Sequence, residues 1–99
     1  MNVEVEQLAL IAQALSEPVR LRILALLPAE IKCEEMYNVS ELAEELGISQ
    51  PVVSRHLAVL KRSGLVTCER MCQSVYYAID RQKGAQAVAQ MTRLLQTDE

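Results

Sequence analysis

Two short helical patterns lie across residues 38–63 with only Gly47-Ile48-Ser49 between them, and this spacing limits the fold more tightly than any other feature of the chain. Asn38 is placed to cap the first pattern, with Glu41 three residues on as the partner of a capping box. Val39, Leu42, Ala43 and Leu46 form one apolar stripe, and Gly47 supplies the left-handed residue that stops the helix. Ser49 caps the second pattern, and Pro51 sits in its first turn, where a missing N–H costs nothing. Val53, Leu57, Ala58 and Leu60 are expected to turn inward, and Ser63-Gly64 ends the helix. A tight turn needs the glycine and a close helix crossing needs the small Ala43, so the pattern is that of a helix-turn-helix over about 38–63. Other helical hairpins share the glycine turn, so the flanking elements decide.

Those elements agree. After Gly64 the period changes: Leu65 to Arg70 and Ser74 to Ile79 read as two strands rich in Val, Tyr, Thr and Ile, joined at Met71-Cys72-Gln73. A hairpin at about 65–79, directly after such a helix pair, is a wing. Upstream, Leu8, Ile11, Ala12 and Leu15 mark an amphipathic helix. Ser16 is the expected cap of a second helix, with Pro18 in its first turn, Val19, Ile23, Leu24 and Leu27 on its apolar face, and Pro28 at its end. Residues 28–37 read as a connection with room for one extra helical turn. Arg81 to Gln96 reads as a last helix with Val88, Met91, Leu94 and Leu95 apolar; it has to pack on something, and the first helix with its twofold mate are the expected partners. The expected fold is mainly α (α+β): a winged helix-turn-helix of about five helices and a two-stranded hairpin, one domain over residues 1–99.

Only 3% of the 99 residues are aromatic against 51% apolar overall, so the core is built of Leu, Ile, Val and Ala. No apolar run reaches the roughly 18–20 residues of a membrane span, and the acidic start Met1-Asn2-Val3-Glu4 lacks the basic and apolar segments of a signal peptide. Three cysteines without framework spacing, Cys33, Cys68 and Cys72, point to a reducing compartment, and the expected location is the cytoplasm. The net charge of −3 conceals a division. Residues 1–48 carry −6 and residues 49–83 carry +4. A polyanion responds to the local field within a Debye length of about 8–10 Å, so the basic segment outweighs the sum.

The chain resembles the ArsR/SmtB family of bacterial winged-helix repressors. The resemblance rests on Ala14-Leu-Ser-Glu-Pro-Val-Arg-Leu-Arg-Ile-Leu-Ala-Leu-Leu27, on Ser40-Glu-Leu-Ala-Glu-Glu-Leu-Gly-Ile-Ser-Gln-Pro-Val-Val-Ser-Arg-His-Leu-Ala-Val-Leu-Lys-Arg-Ser-Gly-Leu-Val66, and on Ser74-Val-Tyr-Tyr-Ala-Ile79. It implies a homodimer through the terminal helices, binding to an inverted-repeat operator in double-stranded DNA, and release when an effector binds. The family's metal sites do not carry over. Where its arsenic, cadmium and lead sensors have Cys-x-Cys at the start of the third helix, this chain has Asn38 and Ser40. Where its zinc and cobalt sensors have Asp and His ligands on the last helix, residues 81–99 contain no histidine. At the wing tip, where the family commonly has an acidic residue and glycine, the pair is Met71-Cys72; a cysteine at positive φ would cost on the order of 1 kcal/mol unless the turn type has changed.

An inserted helix reads base edges near its N-terminus while basic groups grip phosphates. Ser49, Gln50, Ser54, Arg55 and His56 are the candidate DNA-facing residues of the second helix; Gln suits adenine, and Arg or His suits guanine. Lys61, Arg62 and Arg70 are phosphate candidates, and Gln73 at the wing tip is placed to reach backbone or minor groove. Any surface helix has a solvated polar face, and a lone histidine is usually a plain surface residue. Cys33, Cys68 and Cys72 are candidate thiol sensors for an oxidant, a reactive sulfur species or a thiophilic metal or metalloid such as arsenite. The alternative is that Cys68 faces the core, Cys33 is incidental and Cys72 a tolerated turn residue. Glu30, Glu34, Glu35, Glu44 and Glu45 read as a solvated acidic face. Nothing pairs a nucleophile with a base or forms a phosphate loop, so an enzyme is not expected. Two other readings stand beside the sensor-repressor: a constitutive repressor, and a winged-helix interaction module that binds no DNA.

Overall fold

A computed structural model describes residues 4–30, 36–71 and 73–96. Cys33, Cys72 and the centre of the 28–37 connection lie outside the described residues. In chain order the elements are α1 (Val5–Ala14), α2 (Pro18–Leu26), α3 (Val39–Leu46), α4 (Gln50–Ser63), β1 (Val66–Met71), β2 (Ser74–Ile79) and α5 (Arg81–Leu95). This is the expected winged helix-turn-helix.

Local chemistry explains most boundaries. At α3 the capping box is complete: Asn38 Oδ1 accepts from Glu41 N at 2.9 Å, and Glu41 Oε1 accepts from Asn38 N at 3.0 Å. Gly47 ends α3 at φ +70° and Gly64 ends α4 at φ +90°, both left-handed. A side chain at Gly47 would meet open space, so the backbone alone demands glycine there. Ser49 Oγ caps α4 from Val52 N at 3.4 Å.

The start of α2 departs from expectation. Its cap is Glu17, which accepts from Val19 N at 2.9 Å, whereas Ser16 Oγ donates back to Gln13 O at 2.6 Å and closes α1. The loop is so short that the first hydroxyl serves the helix behind it and the next carboxylate the helix ahead. The apolar stripes are also narrower than read. Ala12 and Ala58 are exposed, because Leu8, Ile11 and Ala14 on α1, and Val53, Leu57 and Leu60 on α4, already fill the contact. β1 begins at Val66, one residue later than expected, with Leu65 buried as the hinge before it.

The core lies around α4, which packs on α1, α3, α2 and β1. Ile11, Ile23, Leu42, Val53, Leu57 and Leu60 are fully buried; each stabilises the fold by roughly 1.5–3 kcal/mol. The strands pair antiparallel from Val66↔Ile79 to Met71↔Ser74, leaving two residues in the turn. The wing does not hang free. Ile79 N donates to Pro28 O at 2.8 Å and Asn38 bridges Tyr76, so both ends of the α2–α3 connection are tied to β2.

Helix α5 is capped by Asp80, whose Oδ1 accepts from Lys83 N at 3.0 Å, and it buries Ala87. Val88, Leu94 and Leu95 stay exposed, as does Val5 on α1. A groove of about 200 Å³, apolar throughout, runs between α1, α2, the wing and α5, lined by Leu15, Leu24, Leu65, Ile79, Val88 and Met91 among others. The radius of gyration, 14.5 Å, exceeds the roughly 13 Å of a compact 100-residue domain, and the long axis reaches 51 Å.

Candidate nucleic-acid interface

Helix α4 is buried along Val53, Leu57, Leu60 and Ser63, so its opposite side must meet solvent or a partner. On that side Gln50, Ser54, Arg55, Lys61 and Arg62 are all exposed, and Ser49 opens the helix beside them. Gln50 and Ser54, four residues apart, share one edge of this face, and Arg55 and Arg62, seven apart, share the other. Among the described residues no carboxylate lies within 4.0 Å of Arg55, Lys61, Arg62 or Arg70. Among the described residues these cations have no ion-pair partner, which leaves them available to phosphate.

Hydrogen bonds tie down the C-terminal end of α4. Ser63 Oγ donates to Leu60 O at 2.7 Å and accepts from Leu65 N at 3.2 Å, while Gln7 Nε2 on α1 donates to Ser63 O. Arg70 is exposed on β1, and Gln73 is exposed at the wing turn with φ +67°, the one left-handed non-glycine among the described residues. The sequence placed the turn's strain at Met71-Cys72; among the turn residues described, Gln73 carries it.

His56 stands apart from the other candidates. It is half-buried on the flank of α4 that turns toward α2, and its Nδ1 lies 3.1 Å from Arg20 Nη1. Arg20 was not among the residues singled out from the sequence. A partner 36 positions away leaves no local signature, and only the basic character of Arg20 beside the α1–α2 loop pointed to it.

Of the three cysteines, Cys68 is described: a free, half-buried thiol on β1 directly opposite Tyr77. Burial and, secondly, the adjacent Cys68 push the Tyr77 hydroxyl above its ordinary range, while Lys61 on α4 pulls it back. The wing thus lies close beside the recognition face. No three His, Cys, Asp or Glu side chains cluster to hold a metal ion among the described residues, and no helix there is long and apolar enough to cross a membrane.

A helix-turn-helix with an exposed basic second helix, a docked wing and a free apolar α5 defines a winged helix-turn-helix DNA-binding regulator. The model of the bacterial regulatory proteins of the arsR family matches residues 17–67, and the chain belongs to that family. It is 32% identical over 99 residues to the biofilm growth-associated repressor of Xylella fastidiosa strain Temecula1, covering all of this chain and 82% of that protein. It is 40% identical over 67 residues to the repressor SmtB of Mycobacterium tuberculosis H37Rv, covering 68% of this chain and 46% of that one. Among solved structures it is similar to an ArsR-like transcriptional regulator from Rhodococcus sp. RHA1, with TM-score 0.77, 25% identity, and coverage of 90% and 77% of the two chains.

Proposed function

We propose that this transcriptional repressor binds an inverted-repeat operator as a homodimer in the cytoplasm, with α4 in the major groove and the wing along the adjacent backbone. The observation that carries the reading is the outer face of α4, where Gln50, Ser54 and Arg55 stand exposed near the N-terminus, with cations behind them that have no ion-pair partner among the described residues. Gln50 and Arg55 offer bidentate donors and acceptors to base edges. Lys61, Arg62 and Arg70 neutralise phosphates, with Gln73 at the wing tip. The homodimer is supported by exposed apolar side chains, Val88, Leu94 and Leu95 on α5 and Val5 on α1. Singly scattered apolar residues need no explanation, but a continuous apolar groove with exposed Val88 in its lining marks an interface.

The regulatory half of the reading is release by a thiol-directed effector. Cys33, Cys68 and Cys72 are its candidates, and Cys68 is a free, half-buried thiol opposite Tyr77. The test is fluorescence anisotropy of the reduced protein on duplexes selected from a random-sequence pool, with salt, oxidant followed by re-reduction, and arsenite varied in turn. Sedimentation runs in parallel. Salt-sensitive binding by a dimer that one thiol reagent reverses supports both halves. Binding that ignores every reagent leaves a constitutive repressor, and no salt-dependent binding leaves an interaction module.

A further inference from the structure

Arg20 has no carboxylate partner among the described residues, yet each of its three guanidinium nitrogens has a hydrogen-bond partner. Nε donates to Ala14 O at 2.7 Å and Nη2 to Gln13 O at 3.3 Å, both carbonyls at the C-terminal end of α1. Four residues on from Ala14 stands Pro18, which has no N–H to donate, while Gln13 O already accepts from Ser16; the negative end of the helix dipole makes this a natural seat for a cation. The remaining arm, Nη1, crosses to His56 Nδ1 on α4 at 3.1 Å. A guanidinium only donates and stays charged. His56 Nδ1 must therefore accept, and the neutral ring carries its proton on Nε2.

At its C-terminal end α4 is also tied by hydrogen bonds, from Gln7 Nε2 on α1 to Ser63 O and through Ser63 Oγ, but along the middle of the helix the seating is less directional. Val53, Leu57 and Leu60 are held by apolar burial, which scales with area and tolerates a small roll of the helix about its axis. Base readout does not tolerate it, because a bidentate contact weakens steeply with misalignment. A planar fork bonded to a planar ring fixes an angle that burial leaves soft. The fork also joins α4 to the C-terminal end of α1.

We propose that Arg20 is a positioning residue for DNA recognition: it bridges the end of α1 to His56, holds that ring in its Nε2–H form, and sets the roll of α4 without itself touching DNA. This rests on the reading of α4 as the groove-entering helix.

The test uses the full chain and a duplex selected by the wild-type protein from a random-sequence pool, beside a scrambled duplex of the same length. Affinity is measured over a range of salt for the wild type, Arg20→Gln, Arg20→Lys, His56→Ala and the Arg20→Gln/His56→Ala double variant. Thermal unfolding and sedimentation check fold and assembly. Each single variant is expected to lose about tenfold on the selected duplex, the scale of one charge-assisted hydrogen bond. Affinity for the scrambled duplex and the salt slope are expected to hold, and the double variant to be no worse than either single one. Arg20→Lys keeps the charge but not the fork, and so is expected to fail as Arg20→Gln does. Long-range proton–nitrogen spectra of the imidazole are expected to show the Nε2–H pattern in the wild type and a tautomer mixture in Arg20→Gln. The proposal is overturned if Arg20→Gln binds as the wild type does, if single losses multiply in the double variant, or if equal losses on both duplexes accompany a lowered melting temperature. A salt slope reduced by about one phosphate would also overturn it, since Arg20 would then grip the backbone directly. A wild type that selects no sequence and binds no duplex removes the DNA reading itself, and this inference with it.

Discussion

Arg55 and Arg62 lie on one edge of the same exposed face, yet the account gives them different work. Arg55, near the start of α4, is assigned to a base edge; Arg62, near its end, to a phosphate. Arg55→Ala is therefore expected to lower affinity by about 1–3 kcal/mol and relax specificity at one operator position. Arg62→Ala is expected to weaken all duplexes alike and reduce the salt slope by about one. Anisotropy on single-base operator variants at several salt concentrations separates the two. Tyr77 gives a prediction of another kind. Its hydroxyl is held above the ordinary value of 10.0, chiefly by burial, so the folded state favours the protonated phenol. That contribution is fully present below pH 10 and is lost as pH rises through the folded value. Denaturant unfolding above pH 10 is expected to show a loss of stability in the wild type that Tyr77→Phe lacks.

The helix ends show which parts of the structure a sequence can reveal. Asn38 with Glu41, Gly47, Ser49 and Gly64 were each legible because one local interaction decides the boundary. The Ser16–Glu17 boundary was not, because two adjacent residues can each cap and only the path of the loop chooses between them. The Ala12 and Ala58 expectations failed for a related reason: alanine is apolar enough to join a stripe and small enough to be left off it. At the candidate site, the exposed residues of α4 could be read from periodicity, whereas the Arg20–His56 contact depends on how three helices meet. The capping account is testable by melting. Asn38→Ala is expected to cost about 1 kcal/mol, and Gly47→Ala about the same, from backbone strain at φ +70° with no steric clash.

At the scale of the whole molecule, charge and apolar surface are divided. Acidic residues dominate the first half of the chain, the exposed cations Arg55, Lys61, Arg62 and Arg70 lie on α4 and the wing, and exposed apolar side chains lie on α1 and α5. A single protomer leaves that apolar surface open to water, and the proposed dimer would both cover it and present two α4 helices to DNA. Val88→Glu together with Leu94→Glu is expected to yield a folded monomer by sedimentation that has lost operator affinity, since it can grip only one half-site. The central claim is that two recognition helices at a fixed separation read an inverted repeat, and half-site spacing tests it most directly. Binding of the selected duplex is compared with that of a duplex carrying about 5 extra base pairs between the half-sites, half a helical turn. The account predicts that the insertion drops affinity to the level of scrambled DNA while each half-site stays intact. Equal affinity for the two duplexes would contradict it.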